Sequence, residues 1–264
     1  MDILLHSLQQ SLVLLPLVLG IYMSYGCAKL TDLTIEGSFV FGAAVYAQSL
    51  IFTQSPVLAF CIGTLAGVIP GMLTSAIQIK NRMNSLMAGI ITLFMFQSFN
   101  IFVLNQPNIN LLDFQHCFAE TTHLLGLGIV LMIVLTYLDR SVFGLRFKGL
   151  GNNSRLFSER YNLDFYKMIV LGLSNMLAAL SGILTASVNG YADIYMGQGI
   201  ALIGIGTFIL GQEIKRQLIF CFVGLAIYFG LTHLLLHLGV SMLIMKCLIG
   251  LFLALILGGR YGFH

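Results

Sequence analysis

Met168-Ile-Val-Leu-Gly-Leu-Ser-Asn-Met-Leu-Ala-Ala-Leu-Ser-Gly-Ile-Leu-Thr-Ala-Ser-Val188 runs without a single Asp, Glu, Lys or Arg. A bilayer's hydrocarbon core is about 30 Å thick, and roughly 20 apolar helical residues cross it. The stretch therefore reads as a membrane helix. Ile194–Gln212 and Gln217–Thr232 are also free of these four residue types. Several such stretches in succession make the chain an all-α, polytopic membrane protein, and its function must be one that a bundle of membrane helices performs.

Composition agrees. Mean hydropathy is +0.94. Charged residues make up 9% of the chain and hydrophobic residues 58%, whereas a soluble domain carries about 25% charged residues. The length suits one transmembrane domain over residues 1–264. Five cysteines (Cys27, Cys61, Cys117, Cys221, Cys247) lack CxxC spacing, so neither a disulfide framework nor a zinc site is indicated. The N-terminus has no basic n-region and no clear cleavage site, and reads as a retained helix rather than a signal peptide.

Nine segments emerge on working outward: Leu5–Ala28, Ser38–Phe52, Val57–Ile79, Ser85–Leu104, Thr122–Leu138, Met168–Val188, Tyr195–Leu210, Leu218–Leu236 and Val240–Leu257. Basic residues accumulate in cytoplasmic loops. Lys29, Lys80, Arg82, Lys215, Arg216, Arg260 and the six between Asp139 and Lys167 all fall on one side of a nine-segment chain. The opposite loops, around Gln54–Pro56, Asn105–Thr121 and Asn189–Ile194, contain no Lys or Arg. This places the N-terminus outside and the C-terminus in the cytoplasm. Lys246, inside segment nine, is the exception, read as snorkelling toward the outer surface.

Three regions depart from plain apolar helix. Thr31-Asp-Leu-Thr-Ile-Glu-Gly-Ser38 puts two carboxylates and a glycine between apolar runs, which predicts a broken or re-entrant element near 31–38. Asp32 and Glu36 have two readings: solvated charges at a helix junction, or caps of a broken helix facing a pathway, since ionisable groups at membrane depth are costly. Segment three carries Gly63, Gly67 and Gly71 with Pro70 beside the last. Small residues at that spacing let helix backbones approach. In the longest basic loop, Gly149–Ser154 reads as a turn with N-cap residues at Asn153 and Ser154. A short helix, Arg155–Tyr161, follows, with Asn162 as its left-handed cap. So short a helix needs a packing partner.

There is no phosphate loop, HExxH or GxSxG, so the chain shows no nucleotide site or cofactor of its own. His233 and His237 share a helix face but lack the third ligand that zinc requires. They read as packing or helix-end residues, and no metal is expected. Ser38, Gln97, Asn100 and Asn175, with Ser174, Ser181 and Thr185, are polar residues within or at the ends of segments. They either line a path or bond between helices.

Three stretches together resemble the permease subunits of bacterial ABC importers, in the broad family of branched-chain amino acid and ribose permeases. Thr31-Asp-Leu-Thr-Ile-Glu-Gly-Ser-Phe-Val-Phe-Gly-Ala-Ala44 is similar to that family's "DLSVGS…G" element. Its Glu-Gly-Ser form is closest to a branch associated with aromatic amino acid uptake. Gly144-Leu-Arg-Phe-Lys-Gly-Leu-Gly-Asn-Asn153 is similar to the "GLRLRAxGxNP" entry to the coupling helix. Leu173-Ser-Asn-Met-Leu-Ala-Ala-Leu-Ser-Gly182 is similar to the "LSGALAGLAG" helix that follows. Two departures concern the coupling helix: Ser154 stands for the usual proline, and the usual glycine near its end is missing.

The resemblance implies a dimeric pathway made with a second permease copy or paralogue in a bacterial inner membrane. It implies two separate ATPase subunits carrying ATP and Mg, and an extracytoplasmic binding protein. Nucleic acid plays no part. Asn153, Ser154, Arg155, Leu156, Phe157, Glu159 and Arg160 would form the ATPase-coupling element. Asp32, Glu36, Ser38, Gln97, Asn100 and Asn175 are the pathway candidates. The competing reading is a secondary transporter driven by an ion gradient, which needs an intramembrane carboxylate; only Asp32 and Glu36 offer one. A membrane enzyme ranks below both, because no cluster of His, Asp or Glu is evident.

Overall fold

A computed structural model describes residues 2–79, 83–112, 120–214 and 219–240, with Gly250. Eleven α-helices lie among them, in the order α1 (Asp2–Ile21), α2 (Thr34–Thr53), α3 (Pro56–Ala66), α4 (Val68–Ile77), α5 (Ser85–Leu104), α6 (Thr121–Arg140), α7 (Val142–Asn152), α8 (Ser154–Arg160), α9 (Leu163–Asn189), α10 (Ile200–Ile214) and α11 (Ile219–His237). A π-helical turn, Tyr22–Cys27, continues α1. Two three-residue strands, β1 (Asn108–Asn110) and β2 (Tyr191–Asp193), pair antiparallel.

Seven spans are long and apolar enough to cross a membrane: Leu5–Cys27, Thr34–Thr53, Pro56–Ile77, Ser85–Leu104, Thr121–Arg140, Leu163–Asn189 and Ile219–His237. These spans match seven of the nine expected segments among the described residues. The seventh expected segment is the shorter helix α10, which starts at Ile200 because Tyr195–Gly199 turns instead. Its 15 described residues rise about 22 Å. The ninth expected segment and Lys246 lie outside the described residues.

Helix α9 sits at the centre, against α1, α2, α3 and α4. Small residues make this possible. Ala179 is completely buried, with Gly42 of α2 on one side and Gly67 on the other; a Cβ at either glycine would fall on the Ala179 side chain. A Cβ at Gly182 would strike the Phe39 carbonyl, and one at Gly71 the Leu171 carbonyl. Lipid is as apolar as leucine, so this close packing, rather than exclusion of water, holds membrane helices together. Hydrogen bonds add to it: Ser174 Oγ donates to the Gly20 carbonyl at 2.9 Å, and Ser181 Oγ to the Val13 carbonyl at 2.7 Å.

The third span breaks at Gly67, which ends α3 and begins α4. Pro70 explains the break: it has no N–H for the Ala66 carbonyl. Non-helical backbone near 31–38 is confined to the stretch before Thr34, so the expected break is shorter than predicted and Ser38 is already one turn into α2. The basic loop also differs. Residues 142–152, read as loop ending in a turn, form α7. Two glycines on α7 seat it closely: a Cβ at Gly144 would meet the Leu138 and Asp139 carbonyls, and one at Gly151 the Cys27 carbonyl. Asn162 is not the expected left-handed cap of the short helix. It caps α9, its side chain accepting from the Phe165 N–H.

Candidate functional site: a buried polar junction and a capped surface helix

The turn between the first two spans carries Asp32 into the interior, where it is 3% exposed. Thr34 N–H donates to Asp32 Oδ1 at 2.8 Å, a side-chain turn that starts α2. Asn175 Nδ2 donates to Asp32 Oδ2 at 2.7 Å and to the Leu171 carbonyl at 2.8 Å. Ser38 donates to Asn175 Oδ1 at 2.6 Å. The Thr34 hydroxyl lies 2.7 Å from that of Thr74. Four spans thus meet at one polar knot, with α5 closing it: a Cβ at Gly89 would come within 3.1 Å of Asp32 Oδ1. Of the pathway candidates, Asp32, Ser38 and Asn175 are brought together here. Thr34 and Thr74 belong with them and were missed; Thr34 lay inside the motif already singled out.

Among the described residues, no cation faces Asp32. Burial pushes its carboxyl above the usual carboxylate range, while bonds from Thr34 and Asn175 pull the other way. Both oxygens accept hydrogen bonds, the arrangement a carboxylate uses.

The other candidates separate. Glu36 Oε1 accepts from the Ala201 N–H at 3.3 Å, at the first turn of α10, where a negative charge suits the helix dipole. Asn100 is 2% exposed and donates to the Gly37 carbonyl at 3.1 Å; its Oδ1 is buried without a partner among the described residues. Gln97 is exposed, on an open face of α5 with Phe94 and Ile101. Gly63, Gly67 and Gly71 face inward, the first against Ile183 and Gly42 and the other two against α9.

The second element is α8. Asn153 caps it, its Oδ1 accepting from the Leu156 N–H at 3.2 Å; Ser154 is its first residue. Phe157 is buried, packed against Tyr161 in a tilted pair and edge-to-face against Tyr166, at ring separations of 5.0 and 5.2 Å. This corrects the expectation that Leu156 and Phe157 both face a partner. Phe157 anchors α8 to its own chain, and Leu156, 63% exposed, points away. Arg155, Glu159 and Arg160 are exposed around it.

The Arg146 guanidinium completes this anchor. It lies 4.8 Å from the Tyr161 ring centre and donates to the Tyr166 hydroxyl at 2.6 Å. Asp139 of α6 joins three elements: it takes Lys148 Nζ of α7 at 2.7 Å and the Tyr22 hydroxyl at 2.6 Å. Neither hub was singled out in the sequence, because their partners are up to 117 residues away. His233 Nδ1 lies 2.9 Å from the Phe229 carbonyl of its own helix, which accounts for it as a packing residue.

Comparison with known proteins agrees with these features. The family model for the "Branched-chain amino acid transport system / permease component" matches residues 3–257. An uncharacterised protein of Rickettsia prowazekii (strain Madrid E) is 37% identical over 270 residues, covering 96% of each chain. A tyrosine transport system permease protein of Clostridioides difficile (strain R20291) is 32% identical over 216 residues, 80% of this chain and 73% of the relative. No solved structure matches. With a multi-helix membrane bundle, a small-residue centre and a capped helix between its spans, the chain belongs to the permease-component family of branched-chain amino acid transport systems.

Proposed function

We propose that this chain is the membrane subunit of an ATP-driven importer for an amino acid, tyrosine or a related aromatic one. The N-terminus lies outside, the C-terminus is cytoplasmic, and the solute moves inward. The observation that carries the reading is α8. It is a seven-residue helix, too short to persist alone in water, yet capped at its start and pinned by Phe157. It presents Leu156 between Arg155, Glu159 and Arg160 on an otherwise open surface. A fixed apolar knob with a charged rim is what a docking partner needs, because interface energy concentrates in a few anchors. The partner is an ATPase pair, since the chain shows no phosphate-binding motif. The tyrosine permease relative supports the solute class.

ATP-driven motion of α8 passes through the Arg146 and Phe157 cluster to α7 and α9, and along α9 to the Asp32–Asn175 knot. The two access states differ in free energy as the ATPases and the solute bind them differently. The open face of α5, with Gln97 among apolar side chains, meets the second permease copy. An amide exposed to lipid is unfavourable, and a partner or a hydrated path removes that cost.

Leu156→Ala and Phe157→Ala test the assignment separately. Leu156→Ala leaves a folded permease that no longer co-purifies with its ATPase and no longer drives tyrosine uptake. Phe157→Ala lowers stability as well, through the cavity it leaves, about 3–5 kcal/mol for a buried Phe. Retention of both ATPase binding and uptake by Leu156→Ala removes α8 from the interface. Uptake that stops on collapse of the proton gradient while ATP persists favours instead the ion-driven reading, with Asp32 as its carboxylate.

A further inference from the structure

We infer that the protein holds an anionic phospholipid in a groove between α1, α6 and α11, with the headgroup at Arg140. The groove encloses about 1000 Å³. Its floor is Leu12 and Leu15 of α1, and Ile219 and Phe222 form the α11 side. Along α6 it extends from Leu125 to Arg140, a rise of about 22 Å. That is one leaflet's half of a roughly 30 Å core plus the headgroup zone. The long apolar wall therefore matches acyl chain, and its end falls where a phosphate would lie.

Charge at that end is specific. Arg140 and Lys148 both line it, with Asp139 between. Lys148 is tied to Asp139 at 2.7 Å, and Asp139 also takes the Tyr22 hydroxyl. Arg140 is exposed and has no carboxylate partner among the described residues. Among the described residues, the end of the groove thus carries one positive charge without a carboxylate partner beside a fixed ion pair. Tyr137, 77% exposed one turn earlier, is an aromatic side chain at headgroup depth, where such residues collect. Basic pockets between membrane helices on the cytoplasmic side suit anionic headgroups. Helix α6 is the span least covered by the rest of the chain, so an ordered lipid would fasten it to α1 and α11. The inference depends on the membrane location of the bundle and not on what it transports.

The test uses the full chain with a photoreactive benzoylphenylalanine in place of the exposed Ile133, in vesicles of equal phosphatidylglycerol and phosphatidylcholine. Irradiation should give a phosphatidylglycerol adduct roughly fivefold over phosphatidylcholine, the weight of one basic group at an anionic surface. Arg140→Gln should return the ratio to that of the bulk lipid, and Arg160→Gln, on the distant α8, should not. Equal labelling of the two lipids, or no lipid adduct, overturns the inference. So does a crosslink to residues 241–264 of the same chain or to a second copy, which would show that protein fills the groove. A second readout needs no substitution: the thermal midpoint of the purified chain in detergent should rise more with phosphatidylglycerol than with phosphatidylcholine, and an equal rise counts against specific binding.

Discussion

Asp32→Asn is the sharpest probe of the buried knot, because it removes a charge while keeping size. Both Asp32 oxygens accept: one from the Thr34 N–H at 2.8 Å, the other from Asn175 Nδ2 at 2.7 Å. An asparagine has one oxygen for those two donors, so its amide nitrogen must face either Thr34 N–H or Asn175 Nδ2. Asn175 cannot flip to help without breaking its bonds to Ser38 and the Leu171 carbonyl. One buried donor is left unpaired, at about 1–3 kcal/mol. In a domain of 150–250 residues that corresponds to a midpoint drop of roughly 2–12 °C. Asn175→Asp in the same chain restores a donor–acceptor match between positions 32 and 175, though the Leu171 carbonyl loses its side-chain donor. A thermal double-mutant cycle on detergent-purified protein should therefore show coupling of about 0.5–3 kcal/mol. Wild-type stability in Asp32→Asn, or a cycle without coupling, would refute the network.

Two further predictions concern packing and orientation. Gly67→Leu should lower the yield of folded protein and abolish uptake, since a Cβ there already falls on Ala179 and comes within 2.9 Å of the Asn175 carbonyl; normal folding would mean that α3, α4 and α9 can part freely. Single cysteines at Asn108 and Ser158, in a background lacking the native ones, should react from outside and from inside respectively. Labelling of position 158 in intact cells would reverse the proposed topology.

Local chemistry decided most of what was legible from sequence. Charge-free runs such as Met168–Val188 identify membrane helices because a bilayer penalises charge regardless of tertiary context. The Asn153 cap was readable for the same reason: its bond reaches only three residues ahead. Boundaries failed where a distant partner sets them. Helix α10 starts late, at Ile200, with Glu36 accepting at its first turn from 165 residues away. Segment α7 looked like a turn because glycine lowers helix propensity; yet Gly144 and Gly151 are there to let backbone touch backbone. Phe157 and Leu156 are adjacent, apolar and indistinguishable by pattern. Only packing against Tyr161 and Tyr166 turns one inward and leaves the other free. The sequence could likewise show two carboxylates near a helix start, but not that one would cap α10 and the other sink into a knot of four spans. Burial and hydrogen bonding are properties of neighbours, and folding alone brings Asp32 within 2.7 Å of Asn175, 143 positions along the chain.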